Sequence, residues 1–277
     1  MREPSATQPW IEIAANDERP RAIALPGLGH CICASRGAPG KGRTNEDALV
    51  VLPLAERGVV IAVADGAGGM PHADAAARLA VESLEHALRG SVDSIEEAVL
   101  SGFKAAHDAI ADLRLGAAST LIAAWISATD IVFFNAGDSQ AVIAGGRGKP
   151  KFVSVAHSPV GLAQAAGELG EEEALFHPER HIVANMLGVG EVRVEWSRRR
   201  VLALRDTVLL ASDGVFDNLR IGEICSLIRR TDLEAAGEAL LAACDARMRE
   251  QRPGQPGKPD DLTFVLFRRY APPPRTA

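Results

Sequence analysis

Several aspartates stand where strongly apolar runs end. Asp65 closes GVVIAVAD and is followed by Gly66, Ala67, Gly68 and Gly69; Asp138 closes IVFFNAGD; Asp213 closes TVLLASD and precedes Gly214; Asp260 and Asp261 come directly before LTFVLFRR. One Asp-Gly after a strand is an ordinary turn, because Asp bonds its own backbone and Gly accepts positive φ. Recurrence in one chain is different. If the sheets bring these tips together, several carboxylates crowd within a few ångströms, at a cost of order kcal/mol per pair. Only cations make that arrangement sensible. Oxygen ligands without a His or Cys cluster select hard ions, Mg²⁺ or Mn²⁺ rather than zinc, and Gly66 lets a backbone carbonyl approach such an ion.

Two divalent ions roughly 3.5 to 4 Å apart can hold a bridging hydroxide as nucleophile and neutralise phosphoryl oxygens during in-line displacement. Hydrolysis of a phosphate ester is the natural chemistry. No protein nucleophile is then required, in keeping with a chain that has neither a CxxxxxR loop nor a GxSxG elbow.

Strand-like segments must deliver these carboxylates: 48–54, 58–65, 119–126, 131–138, 139–145, 192–197, 207–213 and 262–269. Several are apolar on both faces, which predicts strands covered on two sides. Helical periodicity is clearest in 94–114, where Ile95, Val99, Phe103, Ala106, Ile110 and Leu113 form one stripe. Further helices are predicted over 73–89 and 233–250. Strands, two long helices, many strands, helices and a last strand do not alternate as in a doubly wound fold. They predict an α+β chain: antiparallel sheets with helices packed outside.

With 277 residues, 47% hydrophobic and 24% charged, the chain is ordinary globular material. Its net charge of −6 argues against nucleic acid as a partner. No apolar run reaches the roughly 18 to 20 residues that cross a bilayer, and the N-terminus has no secretory stretch, so no membrane is expected and the cytoplasm is the default address. Cys31, Cys33, Cys225 and Cys244 show neither a disulfide framework nor paired CxxC spacing. They are expected as small buried residues, with Cys31 and Cys33 on one face of a strand.

Six strings in order, NEDA (45–48), VADGAGG (63–69), GAASTL (116–121), NAGDSQA (135–141), LLASDGVFDNL (209–219) and PDDLTFVLF (259–267), resemble the metal-dependent Ser/Thr protein phosphatases of the PPM group, in bacterial form. The resemblance runs from about 30 to 269. It implies a four-layer α-β-β-α sandwich in one domain, 23–270; the polar, proline-punctuated residues 1–22 and the tail APPPRTA at 271–277 are expected to be flexible ends on their composition. It also implies two or three divalent ions and a phosphorylated protein substrate whose phosphate a Ser/Thr kinase adds. A monomer is expected. Position by position, Asp65 would bridge two metals with the Gly66 carbonyl on the second, and Asp213 and Asp260 would complete the first. Glu46 and Asp47 would hold metal-bound waters, and Asp138 would form a weaker third site with Asp213. The stretch 157–187 looks like the family's flap beside the cleft; its Ala, Gly and acidic content also suits a solvated surface segment.

The chain departs from the family's pattern in three places. The arginine that holds substrate phosphate is expected three residues before Asn45, where Gly42 stands; Arg43 is the nearest candidate and Arg36 a second. Ala67 occupies the place of a histidine proposed as general acid in eukaryotic members, a role His72 or a water could fill. Asp261 replaces a usual Asn and adds charge near the site. Two rivals exist. The loop SRGAPGKGRT (35–44) superficially resembles a phosphate loop, but its glycine and lysine spacing is wrong. A catalytically silent module that binds phosphoproteins would have no need of crowded carboxylates.

Overall fold

The computed structural model describes residues 10–13, 15–40, 44–69, 72–89, 93–230, 232–250 and 252–270. The elements run β1 (Trp10–Ile13), β2 (Arg21–Leu25), β3 (Gly29–Arg36), β4 (Asp47–Pro53), β5 (Val59–Asp65), α1 (Ala73–Ala87), α2 (Ile95–Asp112), β6 (Leu121–Ile126), β7 (Asp130–Ala136), β8 (Gln140–Ala144) and β9 (Pro150–Val153). They continue with α3 (Pro159–Ala166), α4 (Glu171–Leu175), β10 (Glu195–Trp196), β11 (Arg200–Val201), β12 (Thr207–Ala211), α5 (Asp213–Phe216), α6 (Ile221–Ile228), α7 (Leu233–Arg249) and β13 (Leu262–Arg269).

Two sheets form. One has the order β1-β4-β5-β6-β7-β10, with β11 also on β7; the other is β2-β3-β13-β12-β8-β9. All their strand pairs are antiparallel.

Alternation along each strand explains why these segments are apolar on both faces. In β5, Val59, Ile61 and Val63 pack between the sheets with Val208, Leu210, Val265 and Phe267. Val60, Ala62 and Ala64 point the other way, onto Ala80, Leu84, Val99 and Phe103 of α1 and α2. On the far side, Leu209, Phe264 and Leu266 meet Ile224, Ile228, Leu240 and Cys244 of α6 and α7. Three buried layers separate four layers of structure, so the expected α-β-β-α sandwich is the fold. Cys31 and Cys33 share the inter-sheet face, and all four cysteines are free and buried.

The α2 stripe begins where Ser94 Oγ accepts the Glu97 N–H at 3.2 Å, a side-chain cap that satisfies a free first-turn donor. Some expectations shift. Strand β1 pairs with β4 inside the segment expected to be loose, and β2 begins at Arg21. Of 192–197 only Glu195–Trp196 joins a sheet, and TVLLASD leaves its strand at Ala211 to open a helix at Asp213. The outermost ends, 1–9 and 271–277, lie outside the described residues. Among the described residues no helix is long and apolar enough to cross a membrane.

Candidate active site

Asp65 sits at the end of β5, and the GAASTL string fixes its backbone. Its N–H donates to Thr120 Oγ1 at 3.1 Å; its carbonyl accepts from the Thr120 N–H at 2.8 Å and from Ser119 Oγ at 3.0 Å. Thr120 Oγ1 is tied in turn to Ser139 Oγ at 2.7 Å, linking this strand end to the residue after Asp138. Gly66 then donates to the Glu46 carbonyl at 3.0 Å. A Cβ on Gly66 would lie 2.2 Å from the Ala73 carbonyl oxygen, so only glycine lets the start of α1 seat so close to the site.

Asp213 is the first residue of α5, directly after Ser212. Ser212 Oγ donates to Asp47 Oδ2 at 2.9 Å and accepts the Thr263 N–H at 3.0 Å, so one hydroxyl joins β4, β12 and β13. A Cβ on Gly214 would stand 2.0 Å from the Asp261 carbonyl oxygen; this contact presses α5 against the loop that carries Asp260. The Asp261 carboxylate lines the cleft with both oxygens engaged, Oδ1 accepting the Ala38 N–H at 2.7 Å and Oδ2 the Glu46 N–H at 2.9 Å, and its charge acts on Asp47. Asn45 is structural too, donating to Ser35 Oγ at 2.8 Å and to the Ala15 carbonyl at 2.7 Å.

Asp138 follows Gly137, whose N–H and carbonyl both engage His157. The Gly137 N–H and Asn185 Nδ2 donate to His157 Nδ1 at 3.2 and 2.8 Å, which leaves Nε2–H to donate to Glu195 at 3.1 Å. Burial lowers the His157 pKa despite Glu195, so the ring is a neutral strut between the 157–187 segment and the Asp138 turn. That segment is stitched at both ends, Ala184 N–H to the His157 carbonyl and Leu187 to Ser119. Its acidic run docks instead of merely being solvated: Glu171 accepts the Ile221 N–H at 2.6 Å, and Glu172 pairs with Arg220.

One cleft of about 410 Å³ is lined by Glu46, Asp65, Gly66, Asp138, Asp213 and Asp260, with His181 and Met186 from the 157–187 segment. Beside it a groove of about 320 Å³, lined in part by Val160, Leu175, Phe216, Leu219 and Arg180, runs up to Asp138 and Asp213. The expected carboxylates therefore share one place. Removal from bulk water, then Asp47, Asp213, Asp138 and Asp260, raises the Asp65 pKa well above the ordinary range. Burial followed by Asp260 and Asp217 raises Asp213 likewise. Asp138 is pushed up to about 6 and the buried Asp47 to about 8, each chiefly by burial.

Such a set resists ionisation unless a cation arrives, and its donors are hard oxygens. Asp47 Oδ1 is buried with no hydrogen-bond partner among the described residues. In donor type and charge the residues fit a hard divalent ion. As the side chains stand, no three Asp, Glu, His or Cys among the described residues are close enough together to hold one. The cation that three of them contact is an ammonium: Lys258 Nζ lies 2.7 Å from Asp213, 2.8 Å from Asp217 and 3.0 Å from Asp260.

Sequence reasoning missed Asp217 and Lys258. The signals were there: Asp217 is four residues after Asp213, one helical turn, and Lys258 is two before Asp260. It also missed His181, whereas His72 is exposed in left-handed backbone at the start of α1 and does not line the cleft. Arg36 is a correction. Its guanidinium donates to the carbonyls of Asp17 at 2.8 Å and Glu18 at 2.9 Å and stands 3.7 Å from Asp245, tying the N-terminal segment down instead of serving the cleft. Arg43 lies outside the described residues.

A family model described as protein phosphatase 2C matches residues 36–251. The serine/threonine phosphatase stp of Listeria welshimeri is 30% identical over 243 residues, 81% of this chain and 90% of that protein. Its counterpart in Listeria innocua is 28% identical over 239 residues with the same coverage. Among solved structures, the serine/threonine phosphatase Stp1 of Staphylococcus aureus superposes with TM-score 0.78 at 22% identity, covering 91% of this chain and 99% of that one. The catalytic domain of the serine threonine protein phosphatase PstP, in complex with two manganese ions, gives TM-score 0.71 at 20% identity, covering 88% and 99%.

Proposed function

The chain belongs to the protein phosphatase 2C family, and from that premise we propose that it hydrolyses phosphoserine and phosphothreonine on protein substrates with two or three divalent ions, Mn²⁺ or Mg²⁺. As a serine/threonine phosphatase it removes what a protein kinase adds. In this reading Asp65, the Gly66 carbonyl, Asp213 and Asp260 would hold two ions, Asp138 with Asp213 would hold a further one, and Glu46 and Asp47 would orient water beside them. Ions held there would supply Lewis-acid chemistry, activating water and neutralising phosphoryl charge.

The chain's own residues do the rest. Thr120 and Ser119 hold Asp65 in place. The groove beside the cleft, whose lining mixes apolar residues such as Val160, Leu175 and Phe216 with polar ones such as Gln140, Gln164 and Arg180, receives the residues that flank the phosphorylated side chain. Arg43 meets the phosphate with a fork of donors. The bond from phosphorus to the substrate oxygen breaks as that from water forms, the water gives up a proton to solvent, and the departing alkoxide takes one, for which His181 in the cleft lining is the candidate source.

The observation that carries the reading is that Asp65, Asp138, Asp213 and Asp260, far apart in the chain, line one cleft at the shared end of two sheets. Support for manganese comes from the PstP structure. A silent phosphoprotein-binding module would gain nothing from bearing this repulsion. Turnover of a phosphoserine peptide and of p-nitrophenyl phosphate, with and without Mn²⁺, tests the proposal; no hydrolysis at saturating metal rejects it.

A further inference from the structure

Lys258 is held in the acidic cleft by more than charge. Its N–H donates to Asn218 Oδ1 at 2.8 Å and its carbonyl accepts from Asn218 Nδ2 at 3.0 Å, so one side-chain amide clamps both sides of the residue. Asn218 is fully buried, and its Nδ2 also donates to the Gly214 carbonyl at 2.9 Å. The backbone that bears Lys258 is thereby locked to the helix that bears Asp213. Prolines 256 and 259 flank the position and stiffen it further.

From that anchor the side chain reaches inward. Only 24% of it is exposed, and its three ammonium donors find three carboxylates: Asp213, Asp217 and Asp260. Arg180 stands 4.0 Å from Asp217. Asp213 and Asp260 offer Lys258 the oxygens, Oδ2 in each case, that a divalent ion would also seek. An ammonium on a four-carbon stem is a compact point charge that can leave such a seat by rotating its own side chain, without backbone motion.

We propose that Lys258 is a resident cation of the cleft: it holds Asp213, Asp217 and Asp260 together in the ion-free protein and, by competing for the same oxygens, sets how tightly the cleft takes up divalent ions. The inference rests on Asp213 and Asp260 being ion ligands. It adds a residue of opposite sign to that set, one that withdraws as ions enter.

Calorimetric titration of Mn²⁺ into the wild type, Lys258→Gln and Lys258→Arg, with the melting temperature of each in EDTA, tests it. Removing the competing charge should lower Kd at least about tenfold, given the strength of a contact ion pair at this depth. It should also lower the melting temperature in EDTA, while Lys258→Arg stays near the wild type in both. A second readout needs no variant. Amine acylation of the wild type followed by mass spectrometry should find Lys258 protected in EDTA and reactive at saturating Mn²⁺, with the exposed Lys104 and Lys149 unchanged. Uptake with equal Kd in wild type and Lys258→Gln, or equal Lys258 reactivity with and without Mn²⁺, overturns this inference alone. No uptake by either protein overturns the metal reading and this inference with it.

Discussion

Asp47 and Asp65 are direct cross-strand partners in the β4–β5 ladder, so two carboxylates face one another where the sheet ends. Like charges in that register destabilise a sheet. Asp47 answers by holding its proton: burial, then Asp261, pushes its pKa up to about 8. Because the folded value lies above the unfolded one, near 4, the folded state binds extra protons between them, and stability falls as pH rises through that window. In EDTA the melting temperature should therefore decline from about pH 4 to about pH 8, and Asp47→Asn should flatten the decline. A melting temperature that rises across this range in EDTA would contradict the assigned direction.

Gly214 is required by contact, since a Cβ there would meet the Asp261 carbonyl oxygen at 2.0 Å. Gly214→Ala must push α5 away from the Asp260 loop and should cost about 2 kcal/mol or more of stability. Urea denaturation measures this; a loss under about 0.5 kcal/mol would show the interface to be looser than described.

The two arginines separate by role. Arg36→Ala removes bonds to the Asp17 and Glu18 carbonyls and should cost about 1 to 3 kcal/mol while leaving KM for a phosphopeptide unchanged. Arg43→Ala should mainly raise KM. Steady-state kinetics on both variants decide it, and a KM effect confined to Arg36→Ala would reverse the assignment.

His181 borders the cleft, so its loss should matter most when the leaving group is a poor one. His181→Ala should lower kcat about 10²-fold for a phosphoserine peptide and far less for p-nitrophenyl phosphate, whose phenolate leaves unaided. Equal losses on both substrates would assign His181 to positioning.

Much of this molecule is legible in its residues. Val59, Ile61 and Val63 alternating with Val60, Ala62 and Ala64 announce a strand covered on both sides, and the Ile95 to Ile110 stripe announces α2. The Asp-terminated strands announce a shared acidic end. What stayed hidden depends on partners distant in the chain. Trp10–Ile13 is too short to read as a strand and forms one by pairing with β4. Arg36 looks like any phosphate ligand until its bonds to Asp17 and Glu18 are seen, and the charge that Asp261 adds beside Asp47 is held in place by the Ala38 and Glu46 N–H groups, which only the fold brings to it. Lys258 reads as a solvated lysine in a proline-rich loop; only the fold reveals the three carboxylates around it.

The central claim is that Asp65, Asp213 and Asp260 take up divalent ions for hydrolysis, and the most direct measurement pairs Mn²⁺ calorimetry with phosphopeptide turnover in the wild type, Asp65→Asn and Asp213→Asn. Uptake is expected in the wild type, with its loss in both variants and a fall in turnover of about 10³-fold or more. Asp138→Ala should lose only the weaker uptake. Near-normal turnover in Asp213→Asn, or no manganese bound by the wild type, would contradict it.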